Sequence, residues 1–156
     1  LCIFCRRQLN LKVPMLNIRI FRIPTFTIGA ILVIIVQMIQ FSLNIILPML
    51  LESGINLSSF MSAVVLFPAV FLCSIMTTIS GKVYDKIGGK IIIPTGLLIM
   101  FIFLVVLSKI DNSTSVIMIS IINALIYLGI SLSWSPNQSN ALKNLSVNNQ
   151  IYGVTI

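Results

Sequence analysis

An all-α membrane protein is the fold class this sequence predicts: a polytopic helical bundle with about four complete transmembrane helices and partial ends of two more. Three observations predict it. Of 156 residues, 58% are hydrophobic and only 8% are charged, and mean hydropathy is +1.11. A soluble domain carries about 25% charged residues, so a globule with a polar surface is excluded. The abundance of Ile, Leu, Val and Phe excludes disorder. The charges are also grouped: none falls between Arg22 and Glu52, from Ser53 to Gly81, from Ile91 to Ser108, or from Asn112 to Leu142. At 1.5 Å per residue, about 20 residues cross a hydrocarbon core of ~30 Å. Finally, apolar residues run all round these windows without a two-residue alternation, which favours helices over barrel strands.

The first residues form an apolar run, Leu1 to Cys5, before Arg6 and Arg7. Cys2 and Cys5 make a CxxC, but the sequence has no His and no second ligand pair to complete a zinc site, so they read as small residues at a helix end. With Cys73 they are too few for a disulfide framework. The chain begins with Leu and carries no signal-peptide pattern; together with the apolar runs at both ends, this leads us to expect an internal piece of a longer protein.

The first complete span is predicted at about 25–50 and ends at Glu52-Ser-Gly-Ile-Asn56, a cluster of turn formers. The second runs from about 57 to 79, with Ser58 or Ser59 as N-cap. Gly88-Gly89 breaks the chain before a third span at 91–109. Asp111-Asn-Ser113, whose side chains can satisfy orphan N–H groups, precedes a fourth at 114–135. Pro48, Pro68 and Pro94 lie in or near the spans, where neighbouring helices can re-satisfy the backbone. Gly81 is expected to allow close helix approach.

Four spans put segments 6–24, 80–90 and 136–150 on one side. They hold Arg6, Arg7, Lys12, Arg19, Arg22, Lys82, Lys86, Lys90 and Lys143; of the ten basic residues Lys109 alone lies opposite, beside Glu52 and Asp111. The positive-inside rule makes the basic side cytoplasmic. The net charge of +7 therefore belongs to membrane-flanking loops, and nucleic acid is excluded as a partner because no basic stripe with stacking aromatics exists.

The loop Gly81-Lys-Val-Tyr-Asp-Lys-Ile-Gly-Gly-Lys90 departs from its surroundings. It holds three lysines, three glycines and Asp85, the only acid on the cytoplasmic side. Asp85 is placed to accept from a helix N-terminus or to pair with Lys86 or Lys90. A basic membrane anchor would explain the lysines alone. The spacing of Gly81, Asp85, Lys86, Gly88 and Lys90 resembles the cytoplasmic signature loop of the major facilitator superfamily, with Gly89 where Arg is usual. The resemblance implies a latch between the second and third helices of a six-helix half, reduced in charge by Gly89, and such degenerate loops occur in second halves. Pro14-Met-Leu-Asn-Ile-Arg-Ile-Phe-Arg22 resembles the entry to the second half of the fourteen-helix drug:proton antiporter branch, with Asn17 in place of an acid. Pro136-Asn-Gln-Ser-Asn-Ala-Leu142 and Gly153-Val-Thr-Ile156 resemble the loop after the fourth helix of that half.

No ionisable residue lies deep in a span, so this piece is not expected to carry the proton-coupling step; the resemblance implies that the acids for it lie mainly in the first half, outside this chain. Uncharged polar residues do occur. Gln37, Gln40 and Asn44 share one face of the first span, and Ser120, Asn123, Tyr127 and Ser131 share one face of the fourth. Interhelical hydrogen bonding explains such stripes, and so does contact with an amphipathic ligand; Gln37, Gln40, Asn44, Asn123 and Tyr127 are the candidate substrate contacts. Tyr84 and Trp134 fit interfacial anchoring. Phe41, Met49, Phe67 and Phe71 read as lipid-facing or packing residues, some of which could line a greasy pocket. Asn56-Leu-Ser58 and Asn112-Ser-Thr114 match the glycosylation triplet, a pattern frequent by chance.

The sequence thus points to a piece of a secondary active transporter in a bacterial plasma membrane. The resemblance implies proton-driven export of small amphipathic compounds, with lipid, protons and the missing N-terminal half as partners and no cofactor. No nucleophile–base pair or metal cluster suggests an enzyme. A non-transporting membrane anchor or assembly subunit remains open, as does a transporter of a metabolite or lipid.

Overall fold

The computed structural model describes residues 24–111 and 114–143, with only the backbone at 25 and 141–143. The CxxC, the segment 1–23, Asn112-Ser113 and the tail from 144 lie outside the described residues. Helix α1 is Pro24–Met49 and passes into a π-helical turn, Leu50–Gly54; α2 is Ser59–Ile87, α3 Gly89–Leu107 and α4 Val116–Lys143. The described residues contain no strand. All four helices are long and apolar enough to cross a bilayer. The protein is therefore an all-α integral membrane bundle.

The ends follow local chemistry. Pro48 has no N–H to donate, and α1 widens within two residues into the π-helical turn. Asn56 then adopts a positive φ of 58°, while Ile55 and Leu57 donate to the carbonyls of Leu50 and Leu51 at 3.2 and 3.0 Å. Asn tolerates this left-handed position better than most residues, so it closes the helix. Ser58 is the N-cap of α2, and its hydroxyl accepts from Met61 N–H at 3.3 Å.

Residues 80–87 were expected as loop, but they continue α2. Lysines at a membrane surface do not break a helix; Gly88 does, at φ 83°, ψ 160°, and it alone links α2 to α3. At the other end of α3 the backbone closes through Lys109 and Ile110, which donate to Val106 and Leu107 at 3.1 and 3.2 Å. Asp111-Asn-Ser113 was expected to supply capping side chains to the fourth helix, and two of its members, Asn112 and Ser113, lie outside the described residues. The backbone of Asp111 exchanges bonds with Thr114: Thr114 N–H donates to the Asp111 carbonyl at 2.9 Å, and Asp111 N–H to Thr114 Oγ1 at 3.2 Å.

The chain forms two compact units. In residues 35–136 the core joins Val36, Leu43, Leu47 and Leu51 with Ala69, Met100, Ile119, Ile122, Ile126 and Ile130. Large apolar residues such as Ile45, Phe60, Phe67 and Phe101 face outward, as a lipid solvent allows. Hydroxyls on the spans satisfy themselves locally: Ser74, Thr77 and Thr95 donate to the carbonyl four residues back, at 3.1, 2.7 and 2.7 Å. In the other unit, the described residues 24–34 and 137–143 are tied by Asn137, whose Nδ2 donates to the Gly29 carbonyl at 3.0 Å.

Candidate functional site

Polar residues of the spans converge on α4, the most enclosed helix: half of its apolar stretch is buried, against 11% for α2. In the C-terminal part of α1, Asn44 is followed after one turn by Leu47, and Tyr127 sits on the facing side of α4. The Tyr127 hydroxyl donates to Asn44 Oδ1 at 2.8 Å. Thus the two predicted stripes meet at this one bond. Tyr127 is buried, whereas Asn44 is exposed at its other edge. Gln37 and Gln40 lie half-buried on α1.

One turn from Tyr127, Asn123 is only 2% exposed, and its Oδ1 has no hydrogen-bond partner. Ser62 Oγ on α2 is likewise buried and unpartnered. The rest of the α4 stripe is satisfied. Ser120 donates to the Val65 carbonyl of α2 at 2.7 Å, and Ser131 to the Leu128 carbonyl at 2.8 Å. Ser80 of α2 donates towards the Ser131 carbonyl at 3.0 Å. Interhelical polar bonds of this kind contribute on average about 0.6 kcal/mol each in membranes.

The second predicted group lies at the α2–α3 junction. Asp85, Lys86 and Lys90 are exposed, while Gly81 and Gly88 are partly covered. Asp85 does not cap α3: its N-cap is Gly88, with no side-chain hydrogen bond. Nor is Gly81 a point of close approach, because a Cβ there would meet Ser135 Oγ at an ordinary 3.8 Å. The close approach lies elsewhere and was missed in the sequence. A Cβ on Gly96 of α3 would stand 2.8 Å from the Gly129 carbonyl, and one on Gly129 of α4 only 2.7 Å from Met100 N. Each helix contributes one glycine to it, and the signal that could have pointed there is the small-xxx-small spacing of Gly129 and Ser133 on α4. Beside it, Ser133 is buried and donates to the Gly129 carbonyl at 3.0 Å.

The expected anchors differ from each other. Tyr84 is buried at 8% exposure, which removes it from an interfacial role, and Trp134 packs half-buried against the core. The aromatic and Met residues Phe41, Met49, Phe67 and Phe71 are exposed, with the last two rings stacked at 6.1 Å.

No family model matches the chain, and no solved structure matches it significantly. Curated proteins do. The lincomycin resistance protein LmrB of Bacillus subtilis (strain 168) is 35% identical over 145 residues, covering 93% of this chain and 30% of its own. LmrB of Listeria innocua is 32% identical over 143 residues, covering 92% and 30%. The uncharacterized MFS-type transporter YcnB of Bacillus subtilis is 26% identical over 136 residues, covering 87% and 29%. The chain spans about 30% of the length of these relatives. A four-span bundle similar along most of its length to these proteins, YcnB among them, is accordingly a homologue of MFS-type transporters.

Proposed function

We propose that the chain is a section of the C-terminal half of a major facilitator transporter, in the fourteen-helix drug:proton antiporter branch, and that the whole protein exports small amphipathic compounds across the bacterial plasma membrane. The observation that carries this reading is the 35% identity, over 93% of the chain, to a lincomycin resistance protein. The conversion is mechanical. The two halves of the transporter rock about a central site, protons entering through acids of the other half. Residues 81–90 face the cytoplasm and act as the latch of the inner gate, with Asp85, Lys86 and Lys90 its charged members and Gly81 and Gly88 its backbone. Gln37, Gln40, Asn44, Asn123 and Tyr127 contact the substrate.

The test expresses the full-length gene in a lincomycin-sensitive bacterium that lacks its own exporter. Resistance should rise and should vanish when the proton gradient is collapsed with an uncoupler. Asp85→Asn, at equal membrane expression, should lower efflux at least several-fold. Unchanged sensitivity would reject drug export, and unchanged efflux in the Asp85 variant would reject the latch.

A further inference from the structure

Two hydrogen-bond acceptors come to one level of the 35–136 unit, one with no donor and one deprived of its ordinary helical donor. The first is Asn123 Oδ1, buried and unpartnered. The bilayer core holds no water to compensate such an atom, so leaving it without a donor weakens the fold. The second is the main-chain carbonyl of Asn44. In a helix it would accept from the N–H four residues on, but that residue is Pro48, which has none.

The Tyr127–Asn44 bond sets the register that brings the two together. Helices α2 and α4 run parallel, since Val65 meets Ser120 and Ser80 meets Ser131. The short turn between Leu50 and Ser58 reverses the chain, so α1 runs antiparallel to both. Four residues before Tyr127 on α4 therefore lie level with four residues after Asn44 on α1, which places Asn123 level with Pro48. A helical carbonyl points towards the C-terminal end of its helix, so the Asn44 carbonyl is aimed at this same level. The buried Ser62 hydroxyl is a separate matter. In the α2–α4 register it stands nearly two turns further along, at the start of α4.

We propose that Asn123 Oδ1 and the Asn44 carbonyl form an acceptor pair that receives a hydrogen-bond donor of the transported molecule. This inference rests on the transporter reading above and narrows its substrate class to amphipathic compounds carrying a hydroxyl or a protonated amine. The Tyr127–Asn44 bond holds the side chain of Asn44 aside, so that its carbonyl and Asn123 stay available. An acceptor kept without a partner in the resting protein destabilises the fold and strengthens binding, because the ligand supplies the missing bond.

Two substitutions separate this from a packing role. Asn123→Leu removes one acceptor while keeping the volume close. Pro48→Ala restores an N–H that occupies the other. Both are made in the full-length transporter, with lincomycin, a polyhydroxylated amine, as the probe. Uptake is measured in inverted membrane vesicles and thermal unfolding in detergent. Both variants should unfold at the same or a higher temperature than wild type, yet raise the KM for lincomycin, at least tenfold for Asn123→Leu and several-fold for Pro48→Ala. A folded Asn123→Leu protein with the wild-type KM overturns the acceptor pair and leaves export standing. A lower unfolding temperature for Asn123→Leu also overturns it, since Asn123 would then have an internal partner. Failure of the wild type to move lincomycin overturns the export reading itself, and the pair with it.

Discussion

Gly88 sits at φ 83°, ψ 160°, a region open to glycine and almost closed to other residues. A Cβ there would meet no atom within 4 Å, so the resistance to substitution comes from the backbone alone. Gly88→Ala should therefore lower the stability of the purified protein by about 1–3 kcal/mol. Gly81→Ala should be neutral or raise it by roughly 0.5–1 kcal/mol, because Gly81 is helical and a Cβ fits against Ser135. Thermal unfolding of the two variants in parallel checks this, and equal losses would reject it. The sequence announced a break at Gly88-Gly89, since two adjacent glycines are a strong punctuation. Which of them holds the strained conformation was not legible, because either glycine can adopt it. Asn123 illustrates the same limit. Its spacing placed it on the Tyr127 face of α4, but only the packed structure distinguishes an Asn with a satisfied amide from one with an orphan oxygen.

At the level of helices, the crossing of α3 and α4 is the tightest contact of the described residues with glycines at its centre. Here backbone meets backbone, and no flexible side chain can yield: the nearest atoms to a Gly129 Cβ are Met100 N, the Gly96 carbonyl and Met100 Cα, at 2.7, 2.8 and 3.0 Å. Gly129→Ala should force the helices apart and weaken the fold by about 1–3 kcal/mol, in the range found for overpacked cores. The measurement is thermal unfolding of the full-length protein, with loss of expression as the severe form of the same result; wild-type unfolding would reject the crossing. The helices themselves were legible, because a span is a statement about length and hydropathy and needs no knowledge of its neighbours. Their ends were less so. Residues 80–87 looked like loop by charge, yet they wind on as helix, since lysine is a good helix former and charge at a membrane surface carries no penalty. The Gly96–Gly129 contact was missed for a different reason: it needs two helices to be read against each other, and the Gly129–Ser133 spacing on α4 does not name its partner on α3.

For the molecule as a whole, the distribution of charge is the most informative pattern, and it gives a direct test of orientation. With Cys2, Cys5 and Cys73 replaced by Ser, single cysteines at the exposed positions Lys86 and Ser53 report opposite faces. A membrane-impermeant maleimide should label Lys86→Cys only from the cytoplasmic side and Ser53→Cys only from outside; the reverse pattern would reject the assignment. The expected sidedness rests on loop charge, which is read without a fold. The partition of polar residues into packing and function was not legible, because Ser120 and Asn123 look alike in sequence, and only the fold gives Ser120 an acceptor on α2. What gathers the four helices is α4: it holds Asn44 of α1 through Tyr127, α2 through Ser120 and Ser131, and α3 through Gly129. A chain is made from its N-terminus, so this helix leaves the ribosome after the other three. Until it arrives, α1, α2 and α3 wait in the lipid without their joint partner, and the packing of residues 35–136 is completed only by the latest of these four helices to be inserted. A pause or a stop before Val116 would leave a set of spans already in the membrane and still unassembled, open to capture by quality-control proteases.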